Sequence, residues 1–444
     1  MPESAGWQNW ARNQRCSPAA REEPRSVLEV VEAIRRARSA GQKVKVAGSG
    51  HSFTDAACTD GRLLSVDHLD RVVDVDRDRG TITVEAGITI RALNRELAER
   101  GLALANLGDI DRQTIAGATS TGTHGTGARL GGLATFIQGM ELVTADGDVL
   151  RCSRDEEPEA FHCARVGIGA LGVVTRVTLA CEPAYTLRHV ERAGRFDEVV
   201  GELDELVDGH DHFELYWLPH TDTCSLLCND RTEDAPRPKS AYKRWRAEVF
   251  YPNYFFGALV TAGRLHPPLV PRIAQLVAGT VGSARLVDRS DRILISTRLL
   301  RFVEMEYAIP REHAPEAMRA VRRLIDDEDL RVSFPVEVRF TAPDDIPLST
   351  AHGRETCYIA VHMARGMPHE PYFDGVERIM DRFGGRPHWG KLHGQDAATL
   401  APRYPEWDRF ARARARLDPE GRFRNVYLDR VLGTVPAAAT SPHK

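Results

Sequence analysis

Two glycine-rich stretches decide the fold of this chain: Val46-Ala-Gly-Ser-Gly-His-Ser-Phe53 and Asp111-Arg-Gln-Thr-Ile-Ala-Gly-Ala-Thr-Ser-Thr-Gly-Thr-His-Gly-Thr-Gly127. Glycine, serine and threonine are frequent in both, so their backbone N–H groups are not covered by bulky side chains. Successive uncovered N–H groups form a concave nest that suits a pyrophosphate. Two such loops, far apart in sequence, predict a clamp for a dinucleotide, and the alternative is a pair of ordinary turns.

Neither stretch is the dinucleotide fingerprint of a Rossmann fold. In the first, Phe53 stands where the third glycine is required. A literal Gly-x-Gly-x-x-Gly occurs at Gly167, Gly169 and Gly172. The residues after it alternate like a strand, whereas the fingerprint requires a helix there. We therefore expect a turn that lies against the bound nucleotide and no nicotinamide site.

The flanking sequence alternates between helix and strand patterns. Ser26 and Glu29 have capping-box spacing before an apolar helical face that ends at Gly41. We therefore predict helices over residues 26–41 and 90–100, strands over 43–47, 81–85 and 173–180, and a hairpin over 137–152. Residues 108–132 are predicted to form a long functional loop. This pattern indicates an α+β fold.

Composition is that of an ordinary globular protein: 444 residues, 42% hydrophobic and 27% charged, with a net charge of −4. This length predicts two or three domains, and the nearly balanced charge predicts no nucleic acid partner. The eight cysteines lack zinc-ligand spacing, so we expect no metal. Free thiols and a polar N-terminus without an apolar core favour the cytoplasm.

No run reaches the roughly 20 apolar residues of a membrane span. The nearest candidate, residues 254–281, is interrupted by Arg264, His266 and Arg272 and by three prolines. It predicts either a peripheral membrane contact or an amphipathic helical part of a second domain.

Several motifs, in their order along the chain, resemble one family. Residues 46–53 followed by 111–127 resemble the FAD-binding domain of the vanillyl-alcohol-oxidase superfamily. Arg386-Pro-His-Trp-Gly-Lys391 resembles the His-Trp-x-Lys signature of aldonolactone oxidoreductases and alditol oxidases, and Glu337-Val-Arg339 resembles their Glu-x-Arg pair. Trp7-Gln-Asn-Trp10 and Phe423-Arg-Asn425 extend the match to nearly the whole chain. The chain is thus identified as a member of the aldonolactone oxidoreductase branch.

The resemblance implies an α+β architecture with a two-lobed FAD-binding domain over residues 1–181 and an α+β substrate (cap) domain over 182–387. A C-terminal segment, 388–444, is expected to return to the FAD domain and the active site. His51 occupies the position where many members link an imidazole nitrogen to the methyl group of the flavin's benzenoid ring, so covalent FAD is expected. Apart from the resemblance, His51 is an ordinary polar loop residue. The residues expected to bind FAD are Gly48, Ser49, Gly50, His51, Ser52, Gly108, Thr114, Gly117, Ser120, Thr121, Gly122, His124, Gly172 and Val173.

The resemblance also implies hydride transfer from a carbinol to the flavin. Cations near the ring stabilise the negative charge that develops there, and Arg339 and Lys391 are the expected cations. Glu337 is expected to orient Arg339 and hold a substrate hydroxyl. Since residues i and i+2 share a strand face, a structural salt bridge is the alternative, and Lys391 is alternatively a solvated surface residue. A general base must take the hydroxyl proton, and His362, Lys391 and solvent stay open for this role. His124 is expected to support the loop or the flavin by hydrogen bonding.

The expected function is oxidation of a sugar-1,4-lactone of the D-arabinono- or L-gulono-1,4-lactone type, giving a 2-keto lactone that enolises to an ascorbate-type product. Oxygen, a quinone or a cytochrome is the expected electron acceptor. The alternatives are an alditol (xylitol-type) oxidase that releases hydrogen peroxide and a flavin-binding protein without turnover. Mere binding would not need the charges of Glu337, Arg339 and Lys391. The stretch His362-Met-Ala364 resembles the place of a His-x-Thr sequence in alditol oxidases. Ala364 lacks the threonine hydroxyl that would help bind a polyol chain, which favours a lactone over an open-chain polyol.

Overall fold

Three sheets and two strand pairs organise the chain in the computed structural model, which describes residues 6–434. A three-stranded parallel sheet has the order Ala20–Glu22, Arg62–Ser65, Val44–Ala47. A five-stranded antiparallel sheet has the order Val149–Ser153, Ile137–Val143, Val173–Ala180, Thr81–Glu85, Val72–Asp76. An eight-stranded antiparallel sheet has the order Ala284–Arg289, Thr186–Arg195, Thr223–Thr232, His212–Trp217, Val336–Thr341, Thr356–Ala364, Phe302–Pro310, Arg386–Pro387. The strand pairs are Trp7–Gln8 with Arg15–Cys16 and Leu102–Ala103 with Glu182–Pro183.

Helices lie between these strands throughout the described chain. They are Val27–Ser39, Ile90–Glu99, Ile115–Ser120, Pro158–Ala164, Phe196–Gly201, Leu203–Asp208, Ala241–Trp245, Phe256–Leu265, Val270–Ala278, Ser290–Ile293, Ala314–Asp327, Glu370–Asp381, Ala397–Leu400, Trp407–Leu417 and Val426–Leu432. A π-helix spans Arg246–Phe255, and short 3-10 turns span Leu133–Phe136, Pro267–Leu269, Arg311–His313 and Ala401–Arg403. The mixture confirms the predicted α+β class.

The first helix shows how local sequence sets its ends. Ser26 accepts a hydrogen bond from the backbone N–H of Glu29 at 3.2 Å, as predicted. The Glu29 carboxylate accepts from Arg25 N–H rather than from Ser26, so the reciprocal half of the capping box is displaced by one residue. Gly41 follows the helix with a φ of +63°, a conformation that glycine adopts without strain.

The long loop predicted over residues 108–132 contains the helix Ile115–Ser120, which corrects that expectation. Glycine and threonine disfavour helix formation, but the Thr114 hydroxyl caps the first turn. The stretch 254–281 is largely helical, which agrees with its interpretation as a helical part of a second domain. Within residues 6–434, no helix combines the length and apolar character needed to cross a membrane.

The C-terminal segment packs against the N-terminal region. Tyr404, Phe410 and Tyr427 share a buried cluster with Ile82 and Ile115. The eight-stranded sheet has its own buried cluster, to which the helices Ala314–Asp327 and Glu370–Asp381 contribute. This arrangement brings the segment after Pro387 between the two regions. The outer ends of the predicted domains, residues 1–5 and 435–444, lie outside the described part of the chain.

Candidate active site

Two adjoining cavities meet at the glycine-rich loops. The smaller, which we call the cleft, has a volume of about 130 Å³, and the larger, which we call the chamber, has a volume of about 1240 Å³. The residues that line both are Ser49, His51, Ser52, Gln113 and Thr121. A ligand that extends from the cleft into the chamber therefore passes between the two loops.

The cleft depends on the close approach of its loops. Strand Val44–Ala47 ends directly before Gly48, and a Cβ atom on Gly48 would collide with the Thr114 hydroxyl. That hydroxyl is already engaged, because it accepts from Gly117 N–H at 3.3 Å. Gly50 has a φ of +67°, so the loop turns where a side chain would be strained. Glycine thus sets both the shape and the spacing of the cleft.

Most of the predicted FAD-binding residues line the cleft: Gly48, Ser49, Gly50, His51, Ser52, Thr114, Gly117, Ser120, Thr121 and Gly172. His124 lines the chamber instead. Gly108 and Gly122 line neither cavity. Glycine is required at both for the shape of the loop, because a Cβ on Gly108 would lie 2.9 Å from Thr123 and because Gly122 has a φ of +78°.

Val173 does not line the cleft. Strand alternation directs its side chain into a buried apolar cluster, and the neighbouring Val174 lines the cleft in its place. The role of Val173 in binding FAD stays a prediction.

The cleft suits the diphosphate part of FAD. Its wall consists largely of glycine and hydroxyl residues, so backbone and hydroxyl donors are accessible without side-chain bulk. Lys45, which sequence reasoning missed, also lines the cleft and donates to the carbonyls of Gly169 and Phe423 at 3.3 and 3.2 Å. Burial, reinforced by Arg414, lowers the pKa of Lys45 to about 7. The cleft and its junction residues can therefore hold the nucleotide and direct the ring system toward the chamber.

His51 lies at that junction, stacked on Trp10 with ring centroids 5.5 Å apart. Burial lowers the pKa of His51 to about 4, and the cations Arg112 and Lys391 act in the same direction. The imidazole is therefore neutral near pH 7 and keeps a nitrogen lone pair.

One wall of the chamber carries alternating charged residues on two strands that both pair with Thr356–Ala364, which lies between them. Glu304 and Glu306 alternate along Phe302–Pro310, and Glu337 and Arg339 alternate along Val336–Thr341. Residues 388–392 run beside the first of these strands, with His388 N–H donating to Glu306 O and Leu392 N–H to Glu304 O. This pairing brings Lys391 into the same set. We call Glu304, Glu306, Glu337, Arg339 and Lys391 the charged wall, and all five line the chamber.

Arg339 is fixed by carboxylates on two neighbouring strands. Its Nε lies 2.7 Å from Glu214 and 2.7 Å from Glu337, because Glu214 is its direct cross-strand partner. Asp109 lies 3.9 Å from the guanidinium and pairs with Arg298 at 2.8 Å. Burial, together with Asp109 and Glu214, raises the pKa of Glu337 despite the opposing effect of Arg339.

Lys391 is the second cation of the wall. It forms an ion pair with Glu304, lies 4.0 Å from Glu306, and stands 5.3 Å from the centre of the Phe53 ring. Burial acts to lower the pKa of Lys391, but the two carboxylates outweigh it and raise the pKa. The partly buried Lys391 ammonium is therefore stabilised in its charged form by two carboxylates, which argues against the alternative of a solvated surface lysine.

His362 is oriented as a proton acceptor. Its Nδ1 lies 3.2 Å from the carbonyl of Pro335, which can only accept, so Nδ1 carries a hydrogen and Nε2 is the nitrogen left to exchange a proton. Nε2 lies 3.6 Å from Glu304 and 4.0 Å from Glu337. A proton taken up at Nε2 would face two carboxylates.

His124 and His388 form a buried network with Glu306. His124 Nε2 lies 3.2 Å from Glu306 and its Nδ1 lies 2.9 Å from Gly125 O, while the ring stacks on Tyr358. His388 Nδ1 accepts from Gly390 N–H, and burial lowers the pKa of His388 to about 4. The ligand atoms of His124, Glu306 and His388 also lie within 4.8 Å of one another, a spacing that a metal ion can use. The hydrogen bonds of the two imidazoles and the contact between His124 and Glu306 already give each of these groups a partner in the absence of a metal ion.

The position of Ala364 removes one argument made from the sequence. Ala364 is buried in the apolar cluster of the large sheet and does not line the chamber, whereas His362 does. Its missing hydroxyl therefore does not distinguish a lactone from an open-chain polyol.

Sequence reasoning missed the partners of the predicted charges: Asp109, Glu214, Arg298, Glu304 and Glu306. One signal was present, since Glu304 and Glu306 interrupt an otherwise apolar strand, Phe302–Pro310, whose interior residues are all buried. Buried carboxylates are rare unless they are paired. Asp109 and Glu214 give no such signal, because only tertiary pairing brings them to Arg339.

Comparison with known proteins agrees with this geometry. A family described as an FAD binding domain matches residues 18–153, and one described as D-arabinono-1,4-lactone oxidase matches residues 177–431. The L-gulono-1,4-lactone dehydrogenase of Mycobacterium tuberculosis is 46% identical over 427 residues, which cover 96% of this chain and 99% of that protein. The L-gulonolactone oxidase of Mus musculus is 36% identical over 433 residues, with coverage of 96% and 98%. A solvent-stable cholesterol oxidase of known structure has a TM-score of 0.82 at 19% identity over 97% of each chain, a likeness of fold alone.

The FAD-binding domain and the relatives named as lactone dehydrogenase and oxidase define a flavin-dependent oxidoreductase, and its fold is of the predicted vanillyl-alcohol-oxidase type. The matched family covers more than half of the chain, and two relatives exceed 30% identity over nearly their full lengths. The chain belongs to the D-arabinono-1,4-lactone oxidase family, which confirms the predicted aldonolactone oxidoreductase branch.

Proposed function

We propose that this protein oxidises a sugar-1,4-lactone at a carbinol carbon, with FAD bound in the cleft. One observation carries the proposal: Glu337, Arg339, His362 and Lys391 line a single chamber that adjoins the cleft. The relatives named for L-gulono- and D-arabinono-1,4-lactone support the substrate class. Bound FAD supplies the acceptor for the hydride. The predicted division into residues 1–181, 182–387 and 388–444 is kept as part of this proposal.

Arg339 and Lys391 supply positive charge where negative charge develops. Both are already held in place by carboxylates, so little reorganisation is needed during the reaction. Glu337 holds Arg339 and offers its second oxygen to a substrate hydroxyl. The paired carboxylates also keep both cations charged in a buried site.

His362 is the proposed general base, chosen over Lys391 and solvent. Its Nε2 lone pair faces the chamber's carboxylates, and Glu304 and Glu337 would stabilise the imidazolium that forms when it takes the hydroxyl proton. Lys391 is a poorer base because Glu304 and Glu306 raise its pKa further above the ordinary value of about 10.4 for a lysine.

His51 is proposed to attach FAD covalently. The neutral ring can form a C–N bond to the benzenoid methyl carbon in exchange for one methyl C–H bond. The proton is released, and the two electrons left on the ring system pass to the enzyme's electron acceptor. Acid-precipitated protein should keep its yellow colour and in-gel fluorescence, and His51→Ala should release the flavin. Complete release from the unmodified protein would overturn the linkage and leave the fold assignment intact.

The electron acceptor is proposed to be oxygen, a quinone or a cytochrome. Peripheral membrane contact by residues 254–281 is part of the same proposal, and exposed aromatic side chains in this stretch support it. The cytoplasmic location stays a prediction.

A substrate panel tests the proposed function. The holoenzyme is mixed anaerobically with D-arabinono- or L-gulono-1,4-lactone, or with xylitol or sorbitol, and flavin bleaching is followed. Turnover is then compared under air and with a dye acceptor. A lactone should give the highest kcat/KM. A polyol that wins by about tenfold or more would replace the proposal with an alditol oxidase, and bleaching by neither class would leave a flavin-binding protein.

A further inference from the structure

The chamber contains a further cation that the proposed chemistry does not use. Arg298 lines the chamber from the segment that connects helix Ser290–Ile293 to strand Phe302–Pro310, and it lies outside the charged wall. Its side chain is 34% exposed, so part of it is open to a ligand in the chamber. Arginine carries N–H donors and no acceptor, so the ligand group that it binds must be a hydrogen-bond acceptor.

Asp109 fixes the orientation of Arg298. Arg298 Nε donates to Asp109 Oδ2 at 2.9 Å, and Nη2 lies 2.8 Å from the same oxygen. Asp109 is itself anchored, because its Oδ1 accepts from the Ser296 hydroxyl at 2.6 Å and its carbonyl accepts from Ser296 N–H at 2.9 Å. None of the hydrogen bonds that Arg298 makes to the described residues involves Nη1. The guanidinium is therefore held on one side and offers Nη1 on the other.

The same carboxylate places Arg298 beside the reacting end of the chamber. Asp109 also lies 3.9 Å from Arg339 Nη2, so two guanidinium groups share it. Burial acts to lower the pKa of Arg298, but Asp109, Tyr216 and Glu337 outweigh it and raise the pKa. A substrate hydroxyl held at Glu337 and Arg339 therefore has the charged Arg298 as a near neighbour.

The other cations of the chamber are committed to different partners. Arg91 is held by Asp111 through two hydrogen bonds, of 2.8 and 3.2 Å. Arg112 lies near His51, whose pKa burial and this cation lower, so it belongs to the junction with the cleft. Both cations of the charged wall are assigned to the developing negative charge. Among the described residues, Arg298 is thus the remaining chamber cation with a donor to offer a substrate.

A lactone and an open-chain polyol differ in a group that such a donor recognises. Both carry hydroxyls, which can donate to the carboxylates of the chamber, but only the lactone has a ring carbonyl, which accepts and never donates. In the proposed reaction the oxidised carbinol is next to this carbonyl. A donor for the carbonyl must therefore lie beside the groups that hold the carbinol, and the shared carboxylate of Asp109 puts Arg298 there.

We propose that Arg298 selects a lactone over a polyol, with Nη1 donating to the ring carbonyl oxygen while the neighbouring carbinol lies at the charged wall. This role rests on the proposed function and deepens it by naming the group that discriminates between the two substrate classes. Ala364 cannot make the distinction, because it does not line the chamber. A hydrogen bond from a charged donor corresponds to roughly 10- to 150-fold in affinity.

A matched pair of unreactive ligands tests this role without turnover. Both lack the carbinol that would be oxidised: 2-deoxy-D-ribono-1,4-lactone keeps the carbonyl, and 1,4-anhydro-2-deoxy-D-ribitol has a methylene group in its place. Their affinities for the holoenzyme are read from the perturbation of flavin absorbance. The unmodified protein should prefer the lactone by roughly 10- to 150-fold, and Arg298→Met should lose this preference. The control Arg292→Met removes an exposed arginine of the preceding helix that does not line the chamber, and it should keep the preference.

Turnover supplies a second measurement. With L-gulono-1,4-lactone, Arg298→Met should raise KM by roughly 10- to 150-fold and largely keep kcat, whereas a distorted charged wall would lower kcat. If the unpaired Asp109 unfolds this variant, Arg298→Met/Asp109→Asn removes the stranded charge and should give the same loss of preference.

Two results would overturn the role of Arg298: an unchanged preference for the 2-deoxy lactone in a folded variant, or an equal weakening of both unreactive ligands. A holoenzyme whose flavin is bleached by no lactone would instead contradict the proposed function. The unreactive pair would still measure carbonyl recognition by Arg298 in that case, so the two failures are distinguishable.

Discussion

The cleft and the charged wall adjoin each other but are built from opposite materials. The cleft consists of loops in which glycines and hydroxyls leave the backbone accessible. The charged wall consists of ionised side chains on two strands of the large sheet and on the segment beside one of them, each next to an opposite charge. The contrast teaches that the cleft should be most sensitive to added atoms, whereas the wall should be most sensitive to removed charge.

The largest expected effect is on the wall. Lys391→Met removes a preorganised cation, a change that typically costs about 10²–10³ in rate. Anaerobic stopped-flow should show flavin bleaching slowed by that factor while the protein stays folded and yellow. The matched control is Lys43→Met, whose side chain is exposed away from both cavities. An unchanged bleaching rate in Lys391→Met would mean that the wall is structural.

The cleft was the more predictable of the two regions, for a physical reason. Its glycines are clustered in short stretches of sequence, so Gly48 and Gly50 show the need for uncovered backbone without any tertiary information. Whether the side chain of Val173 or of Val174 faces the cleft was not predictable, because the direction of alternation depends on which sheet face is buried. The capped helix Ile115–Ser120 was missed because its composition disfavours helix.

The wall was predictable only where its residues are sequence neighbours or match a family motif. Glu337 and Arg339 share a face because strands alternate, and Lys391 came from the resemblance. Glu214 reaches Arg339 through cross-strand register, and Glu304 reaches Lys391 through the pairing of residues 388–392 with its strand. Such contacts join positions far apart in the chain, and no local pattern encodes them.

The next effect in size concerns the cleft. Gly48→Ala adds a methyl group that collides with the Thr114 hydroxyl. Overpacking of this kind costs about 1–3 kcal/mol, so FAD affinity in a His51→Ala background should fall by roughly 30-fold. Gly201→Ala is the control, because its Cβ would meet no atom within 4 Å and its φ lies outside the left-handed region. Full FAD affinity in Gly48→Ala would show that the loops do not need this contact.

A smaller effect is expected from Glu304, a positioning residue of the wall. In Glu304→Gln the burial of Lys391 is no longer balanced by its nearest carboxylate, so the pKa of Lys391 should fall. Loss of a charged hydrogen-bond partner costs about 1.5–3 kcal/mol. The lower end of that range corresponds to flavin reduction slower by about tenfold, and the loss should grow as the pH rises and Lys391 loses its proton. Glu312→Gln, on an exposed 3-10 turn, is the control. A pH profile that matches the unmodified enzyme would contradict the positioning role.

The smallest effect concerns the segment that joins the two regions. His393 follows the wall residue Lys391, and its Nε2 lies 3.1 Å from the hydroxyl of Tyr427, a residue of the cluster beneath the cleft. Burial, with help from Arg430, lowers the pKa of His393 to about 3.

In the unfolded chain His393 binds a proton near the ordinary histidine pKa of about 6.5, whereas in the folded chain it does not. Stability is thus unaffected well above pH 6.5 and falls as the pH drops from there toward 3. Between pH 6.5 and pH 5.5 this histidine should remove about 1 kcal/mol of unfolding free energy. His393→Gln keeps a donor for Tyr427 and has no titrating ring, so chemical denaturation should show a shallower loss by that amount. Parallel pH curves for the two proteins would mean that the joint between cleft and wall does not depend on a neutral His393.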